Sequence, residues 1–403
     1  MTTWRLLTDE EARTSWDEAM LKLDDYSPFQ SYAWGEYRRA LGWEPCRWAA
    51  FNKSGEVVAM MSGVLRRYPF KVGMIWSEGG PIGDLTLCNS DLQAAIKQTA
   101  GLKRLYCRFR CDREREIYDA LQLTAMGWSR SWFNLTSNFS MTFDLRNSEE
   151  KTLANCGRNW KRNLKVARNA KLTIRQWLDP NPAEVLAVYS SMQVVKGLDE
   201  QHSHDEIAQL LKSCRQNLVL YRCDDESGQL VSLLGWLVLG NRAWSVVCAT
   251  SERGRQLSAS YAIFWEMYQH CRRLGLESCD LAGIDPIKNH GVYRFKKDTG
   301  ARHLEYLGEW DWATSELLRW GGNWGISRRR WVSSTMQQAG KIASTVLSTL
   351  TLGRNGLVRV AQSKAGVAIK PGAIATGYLA AILNSFNDEI SRGFSQSLSM
   401  LGF

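Results

Sequence analysis

The sequence predicts a mixed α/β (α+β) protein in which one succession of strands and helices occurs twice. Residues 45–82 alternate apolar and polar in the manner of antiparallel strands, and the second half runs through a similar order. In each half a short helix is stopped by glycine just before a strand, at Tyr118 to Gly127-Trp128 and again at Tyr293 to Gly300-Ala301. This parallel implies an internal duplication, with one large mixed sheet as the alternative.

The elements follow in order. PCRWAAF, a turn at Asn52-Lys53-Ser54-Gly55, VVAMMSGVLRRYPF and KVGMIWSEGGPIG form an antiparallel meander. A helix near Ser90 to Ala100, a strand at Arg104 to Phe109, a helix near Arg113 to Ala125 and a strand beginning at Ser131 come next. Glu149 to Ala170 reads as one helical segment, and Pro182 to Gln216 as two modest helices. Leu218 to Asp224 is a strand. Leu230 to Leu239 and Ala243 to Ala249 form a hairpin, because Gly240-Asn241 tolerates positive φ. A helix at Ala259 to Leu274 ends at Gly275, followed by a short buried strand within 276–283 and another at 302–307.

Composition bounds the function. The 403 residues are 44% apolar, enough for two cores, and carry a formal charge of +10, which favours an anionic partner: nucleic acid, a phosphorylated small molecule or an acidic membrane surface. The first residues are acidic and lack an apolar core, unlike a secretory signal. The longest apolar run, Leu230 to Leu239, is half of the roughly 20 residues a membrane helix needs. A cytoplasmic protein is expected, possessing reduced thiols at its ten scattered cysteines. No CxxC pair occurs and His202 and His204 are the sole histidine cluster, so no metal site is expected.

Two segments concentrate chemistry. Gly291-Val292-Tyr293-Arg294-Phe295-Lys296-Lys297-Asp298-Thr299-Gly300 packs two aromatics and three cations between two strands, a composition suited to holding an anion or a developing negative charge. Arg158, Lys161, Arg162, Lys165 and Arg168 share one helical face, interleaved with Asn159, Trp160 and Asn163, a phosphate-contact composition. Acidic residues open that segment and basic ones close it, so the helix dipole also accounts for the pattern without a ligand. There is no Gly-x-Ser-x-Gly elbow, Walker A sequence or dinucleotide fingerprint. The position where an acyl-CoA enzyme of the GNAT type opens its pyrophosphate cradle reads Arg253-Gly254-Arg255-Gln256-Leu257-Ser258-Ala259-Ser260, with one glycine.

Four patches support a resemblance. TFDLRNSEEKTLANCGRNWKRNLKVARNAKLTI (Thr142 to Ile174), GVYRFKKDTGA with LGEWD (Leu307 to Asp311), FQSYAWGEYRRALGW (Phe29 to Trp43) and EGGPIGD (Glu78 to Asp84) resemble segments of the Fem family of peptidoglycan bridge-forming aminoacyltransferases. They span roughly residues 25–312 in family order. The resemblance implies two tandem GNAT-like domains with central mixed sheets: residues 1–145, completed by about 312–330, and residues 146–311, followed by an α or irregular tail at 331–403. It implies transfer of an amino acid from aminoacyl-tRNA to an amine of a peptidoglycan or other envelope precursor, lipid- or nucleotide-linked, with peripheral membrane contact, no DNA partner and no cofactor.

By this resemblance Lys296 meets the oxyanion or the departing ribose oxygen, alongside Phe295, with ion pairing to Asp298 or Asp280 as its structural alternative. Asp84 is the first candidate to take the amine's proton and Asp285 the second. Trp34, Tyr37 and Arg38 fall where the family lines its precursor cleft, Arg38 offering two donors to a diphosphate; Tyr293 and Arg294 flank the lysine. Arg158, Lys161, Arg162, Lys165 and Arg168 are the RNA or phosphate contacts. The long helical arm of many Fem proteins is missing between Pro182 and Gln216. An acyl-CoA-dependent N-acyltransferase on an amino sugar and a non-catalytic binding module are the rival readings.

Overall fold

The computed structural model describes residues 2–196, 203–287 and 289–327. The chain divides into Met1–Arg329 and Arg330–Phe403, and all described residues belong to the first unit. The expected tail at 331–403, including the basic run at Arg328-Arg329-Arg330-Trp331, lies outside them.

In the first half, β1 (Thr3–Leu6), α1 (Asp9–Met20) and α2 (Tyr32–Ala40) precede the meander β2 (Glu44–Phe51), β3 (Val57–Tyr68) and β4 (Val72–Glu78). The short β5 (Ile82–Gly83), α3 (Ser90–Ala100), β6 (Arg104–Glu114), α4 (Ile117–Ala125) and β7 (Ser129–Arg130) follow. The second half opens with β8 (Phe139–Asp144), α5 (Glu149–Asn155), α6 (Arg158–Asn169) and β9 (Thr173–Gln176). It continues through α7 (Pro182–Lys196), α8 (His204–Ser213), β10 (Leu218–Asp224), β11 (Leu230–Leu239), β12 (Arg242–Thr250), α9 (Glu252–Gln256), α10 (Ala259–Arg273), β13 (Ser278–Asp280), α11 (His290–Lys297) and β14 (Arg302–Ala313). A last helix, α12, spans 316–327.

The mixed α/β class expected from the alternation holds, and the strand order repeats. β2-β3-β4 are antiparallel and β4 runs parallel to β6 after α3; likewise β10-β11-β12 are antiparallel and β12 runs parallel to β13 after α10. The two sheets join through β14. Its Arg302–Glu305 pairs with β8 and its Tyr306–Ala313 with β6, giving the order β1-β2-β3-β4-β6-β14-β8-β13-β12-β11-β10-β9.

Each half has its own core. Trp48, Ile75, Phe109 and Trp128 centre the first, and Phe143, Trp160, Trp236, Phe264 and Tyr268 the second. The halves also pack on one another where Tyr37 of α2 meets Val185, Tyr189 and Leu210 of α7 and α8. Nine of the ten free cysteines are buried. No helix among the described residues is long and apolar enough to cross a membrane.

Several boundaries differ from the sequence reading. The strand expected from Ser131 is β7 followed by a loop and then β8, because Thr136 gives its N–H and hydroxyl to the Glu309 carboxylate (2.8 and 2.9 Å) instead of a ladder. The helix expected from Arg113 starts at Ile117, since Arg113 still belongs to β6 and pairs with Asp25 at 2.7 Å. The strand within 276–283 is only Ser278–Asp280: Ala282 adopts φ 63°, which ends the ladder. The strand at 302–307 runs on to Ala313. The single segment 149–170 is two helices, broken at Cys156-Gly157, where the Gly157 N–H bonds to the Asp298 carbonyl at 2.7 Å.

Candidate functional site

The site begins with α11. Its C-terminal end is set by Gly300, at φ 82° with its N–H on the Lys297 carbonyl, a left-handed stop that glycine adopts without strain. The Phe295 ring packs on Tyr261, Phe264 and Trp160 at centroid distances of 5.0, 5.7 and 6.3 Å, anchoring the helix in the second core. Tyr293 lies against His303 at 5.8 Å and beneath the Lys297 ammonium. Arg294 points outward and pairs with Asp298 at 3.8 Å.

Lys296 is held on the opposite edge. Its ammonium donates to the carbonyls of Ala282 (3.1 Å) and Gly283 (2.8 Å), in place of an ion pair with Asp280 or Asp298. An ammonium has three N–H groups, so one is left for a substrate. The acceptor loop is strained at Ala282, a conformation costing about 1–2 kcal/mol for a residue with a Cβ. Asp280 Oδ1 receives the Ala282 N–H at 2.7 Å, and the Ser140 hydroxyl shares its one proton between Asp280 Oδ1 (2.5 Å) and the Ala282 carbonyl (2.9 Å), so two side chains hold this loop against its strain. Burial lowers the Lys296 pKa from 10.5, partly offset by Cys248 and Asp280.

This corner lies where two parallel strands part. β4 and β6 pair along Val72–Glu78, but β12 and β13 pair only at Arg242–Trp244, after which β12 continues to Thr250 alone on that side. The opening in the second half therefore has Cys248 on one side and Asp280 on the other, both acting electrostatically on Lys296.

A polar chain connects this opening to the first half. Tyr306 of β14 donates its hydroxyl to Asp280 Oδ2, and Ser140 donates to Asp280 Oδ1 at 2.5 Å. Burial pushes the Tyr306 phenol far up, reinforced by Asp280 and Asp112. Arg110 stacks 5.9 Å from the Tyr306 ring and chelates Asp112 through two bonds of 2.7 and 2.9 Å. Arg110 also faces Glu78 at 3.7 Å, and Glu78 accepts from Arg38 at 2.9 Å. Burial raises the Asp112 carboxyl above 3.8 despite Arg110, with Asp280 and Glu78 adding to the rise.

Of the remaining expected residues, Trp34, Tyr37 and Arg38 share α2. Trp34 and Tyr37 rings lie 5.0 Å apart with the Arg38 guanidinium over both, and Trp34, Arg38, Trp76 and Glu78 line one narrow cleft. Tyr37 is buried, which pushes its phenol to about 12. Asp84 lines another concavity with Asp25 and Arg113, and its carboxylate caps the turn after it through the Thr86 N–H (2.9 Å) and hydroxyl (2.6 Å). Asp285 likewise accepts the Ile287 N–H at 3.0 Å. Neither joins the Arg38-to-Lys296 chain. Arg158, Lys161, Arg162, Lys165 and Arg168 are all exposed on α6.

The structure adds Asp112, Arg110, Glu78, Tyr306 and Ser140, which the sequence reading did not single out, and gives Asp280, expected only as an ion-pair partner of Lys296, a place in the chain between them. A signal existed in β6: Cys107, Phe109 and Cys111 fill the first core, whereas Arg108, Arg110 and Asp112 fall on the other face of the same central strand. Among the described residues no group of three His, Cys, Asp or Glu side chains is placed to hold a metal ion.

Residues 188–321 match the FemAB family model. That FemAB region contains β10 to β14, Lys296 and Tyr306 but neither α2 nor α6. A crystal structure of FemX superposes with a TM-score of 0.64 at 15% identity, over 76% of this chain and 96% of its own. A tandem GNAT protein from the clavulanic acid biosynthesis pathway, solved without AcCoA, gives 0.50 at 12% identity, over 78% and 99%. A conserved protein of unknown function from Bacteroides thetaiotaomicron VPI-5482 gives 0.50 at 11%. No curated protein matches the chain. The fold is of the tandem GNAT-like kind, and the FemAB match with that fold indicates an acyltransferase.

Proposed function

We propose that this protein is an aminoacyltransferase that moves an amino acid from aminoacyl-tRNA to an amine of a peptidoglycan or related envelope precursor. The observation that carries the reading is Lys296, with one N–H to spare, held in the opening between β12 and β13 and linked through Asp280 and Tyr306 to the neighbourhood of buried Asp112. The amine nitrogen attacks the ester carbonyl carbon and forms the amide bond. Negative charge gathers on the carbonyl oxygen, where a prepositioned ammonium contributes about 3–4 kcal/mol, the magnitude of one oxyanion donor. The carbon–oxygen bond to ribose then breaks; a lysine of lowered pKa is the better acid to give that oxygen its proton. Asp112, whose basicity burial raises against the pull of Arg110, accepts the surplus proton of the amine.

In this assignment Phe295 seats α11, Tyr293 and Arg294 border the donor side, and Trp34 and Arg38 border the acceptor cleft with the buried Tyr37 ring supporting both. Arg38 spends one edge on Glu78 and has its other edge for a phosphate. The two domains are proposed as the two sheet systems joined at β14, which moves the expected bounds (1–145 with 312–330, and 146–311) at both ends: β8 (Phe139–Asp144) goes with the second sheet and Tyr306–Ala313 with the first.

An acyl-CoA donor is less well served. Between β12 and α10 the chain forms α9, where the Gly254 N–H bonds to Ser251 Oγ and the Arg255, Leu257 and Ser258 N–H groups bond within the turn. A pyrophosphate cradle needs such N–H groups free. Incubation with labelled aminoacyl-tRNA or labelled acyl-CoA and a precursor mixture distinguishes the donors. Transfer from charged tRNA is expected; transfer from acyl-CoA alone would overturn the proposal.

A further inference from the structure

The break at Cys156-Gly157 changes the meaning of the basic stripe. Over one continuous helix its cations would sit toward the C-terminal end and favour the dipole, but α6 has an N-terminus of its own at Arg158 and no acidic residue in its first turn. Arg158, Lys161 and Arg162 therefore lie at the positive end, where the dipole disfavours them. The i,i+3 and i,i+4 spacing adds mutual repulsion between all five. Of the five, Arg168 alone is placed where folding gains from it, in the last turn and over the Trp265 ring.

The stripe is also unneutralised. Among the described residues none of the five has a carboxylate within ion-pair distance: Lys161 reaches the Ala154 carbonyl at 3.4 Å, Arg162 the Asn159 side chain at 2.7 Å, and Arg168 lies over the Trp265 ring. Several exposed arginines elsewhere are matched, as Arg67 with Glu44, Arg146 with Asp144 and Arg302 with Glu114, while others among the described residues, such as Arg66, stand singly; here five cations share one face. The other face of α6 buries Trp160, Leu164 and Ala167 in the second core, so the helix has no apolar face to insert into a lipid surface.

Its position is specific. The N-terminus of α6 abuts the end of α11, with Gly157 bonded to Asp298 and the Trp160 ring 6.3 Å from Phe295, so the stripe begins beside the helix that carries Lys296 and runs about 15 Å at 1.5 Å per residue. We infer that this stripe is the docking face for the phosphate backbone of an RNA donor next to its acylated 3′ end. The inference rests on the aminoacyl-tRNA reading above and places the donor on the second-half side, opposite the Arg38 cleft.

The test compares wild type with the double variants Lys161→Gln/Lys165→Gln and Lys161→Glu/Lys165→Glu. Deacylated tRNA binding is measured across salt concentrations, and transfer is measured from full-length aminoacyl-tRNA and from an aminoacylated 3′-terminal trinucleotide. The neutral variant is expected to flatten the plot of log affinity against log salt by about 1.4–1.8, from roughly 0.7–0.9 per lost phosphate contact. The reversed variant is expected to weaken tRNA binding by roughly tenfold or more near 0.1 M salt, and to lower the kcat/KM ratio of full-length to trinucleotide donor by a similar factor. Unaltered affinity and slope in both variants overturn the inference. So does loss of binding to anionic lipid vesicles with tRNA binding intact. If wild type binds tRNA and the variants do not, yet no label moves from charged tRNA, the docking face stands and the donor assignment fails.

Discussion

Replacing Lys296 by methionine isolates its charge. Methionine keeps the unbranched apolar stem against α11's surroundings and removes only the ammonium, which donates to Ala282 and Gly283 and has one N–H remaining. Loss of one oxyanion donor costs about 3–4 kcal/mol, so kcat should fall roughly 10²–10³-fold. The fold should hardly notice. Gly283 is exposed and Ala282 half-buried, so water can reach their carbonyls and the cost stays below the roughly 1–3 kcal/mol of an orphaned buried group. Relief of the desolvation that lowers this lysine's pKa works in the opposite direction. Single-turnover transfer and thermal melting on the same preparation provide the assay. A kcat within threefold of wild type refutes the oxyanion role; a large drop in Tm alongside the lost activity shows instead that the ammonium is a structural clamp for the 282–283 loop.

Two further outcomes follow. Transfer should show a bell-shaped pH profile: the rate rises as Asp112 deprotonates at a pKa above 3.8 and falls as Lys296 deprotonates at one below 10.5, and Lys296→Arg should remove the alkaline limb below pH 11. An alkaline limb unchanged in that variant assigns the limb to another group. Glu309→Gln should destabilise the protein by about 3–5 kcal/mol in urea titrations, because buried Glu309 accepts two bonds from buried Arg108 (2.8 and 2.5 Å) and a neutral amide leaves that guanidinium uncompensated. An unmoved midpoint would mean that the Phe133 carbonyl alone satisfies Arg108.

The sequence made some of this legible and hid the rest for physical reasons. Leu218–Asp224 and the Leu230–Leu239 hairpin strand were readable because alternation or an apolar run bounded by turn residues is local information. β14 was read only to Leu307. Beyond it Glu309 and Asp311 look like loop residues, yet both are fully buried, matched to Arg108 and to Asn323 with Tyr106. Such matching is tertiary and leaves no period in the chain. Gly157 alone did not announce a helix break, because the partner that takes its N–H is Asp298, far along the sequence.

The candidate site divides in the same way. Lys296 and its aromatic neighbours were visible as an unusual cluster on one turn of helix. Asp112, Tyr306 and Asp280 come from three separate strands, and none is unusual where it stands in the sequence. Only the register of β14 against β6 and β8 brings them together. Tyr37 shows the same limit: its phenol lies buried among α7 and α8 residues that the sequence places some 150 positions later.

The path of β14 has a mechanical consequence. A strand paired with β8 along Arg302–Glu305 and with β6 along Tyr306–Ala313 carries both sheets, and a register shift between Tyr306 and Gly308 (φ 81°) falls at the junction. Any bend between the halves would concentrate at that bulge, next to Tyr306, the residue that joins Asp280 to the Arg110 side of the chain. The spacing between Lys296 and the Arg38 cleft is therefore set by how one strand passes from β8 to β6 at Tyr306–Gly308.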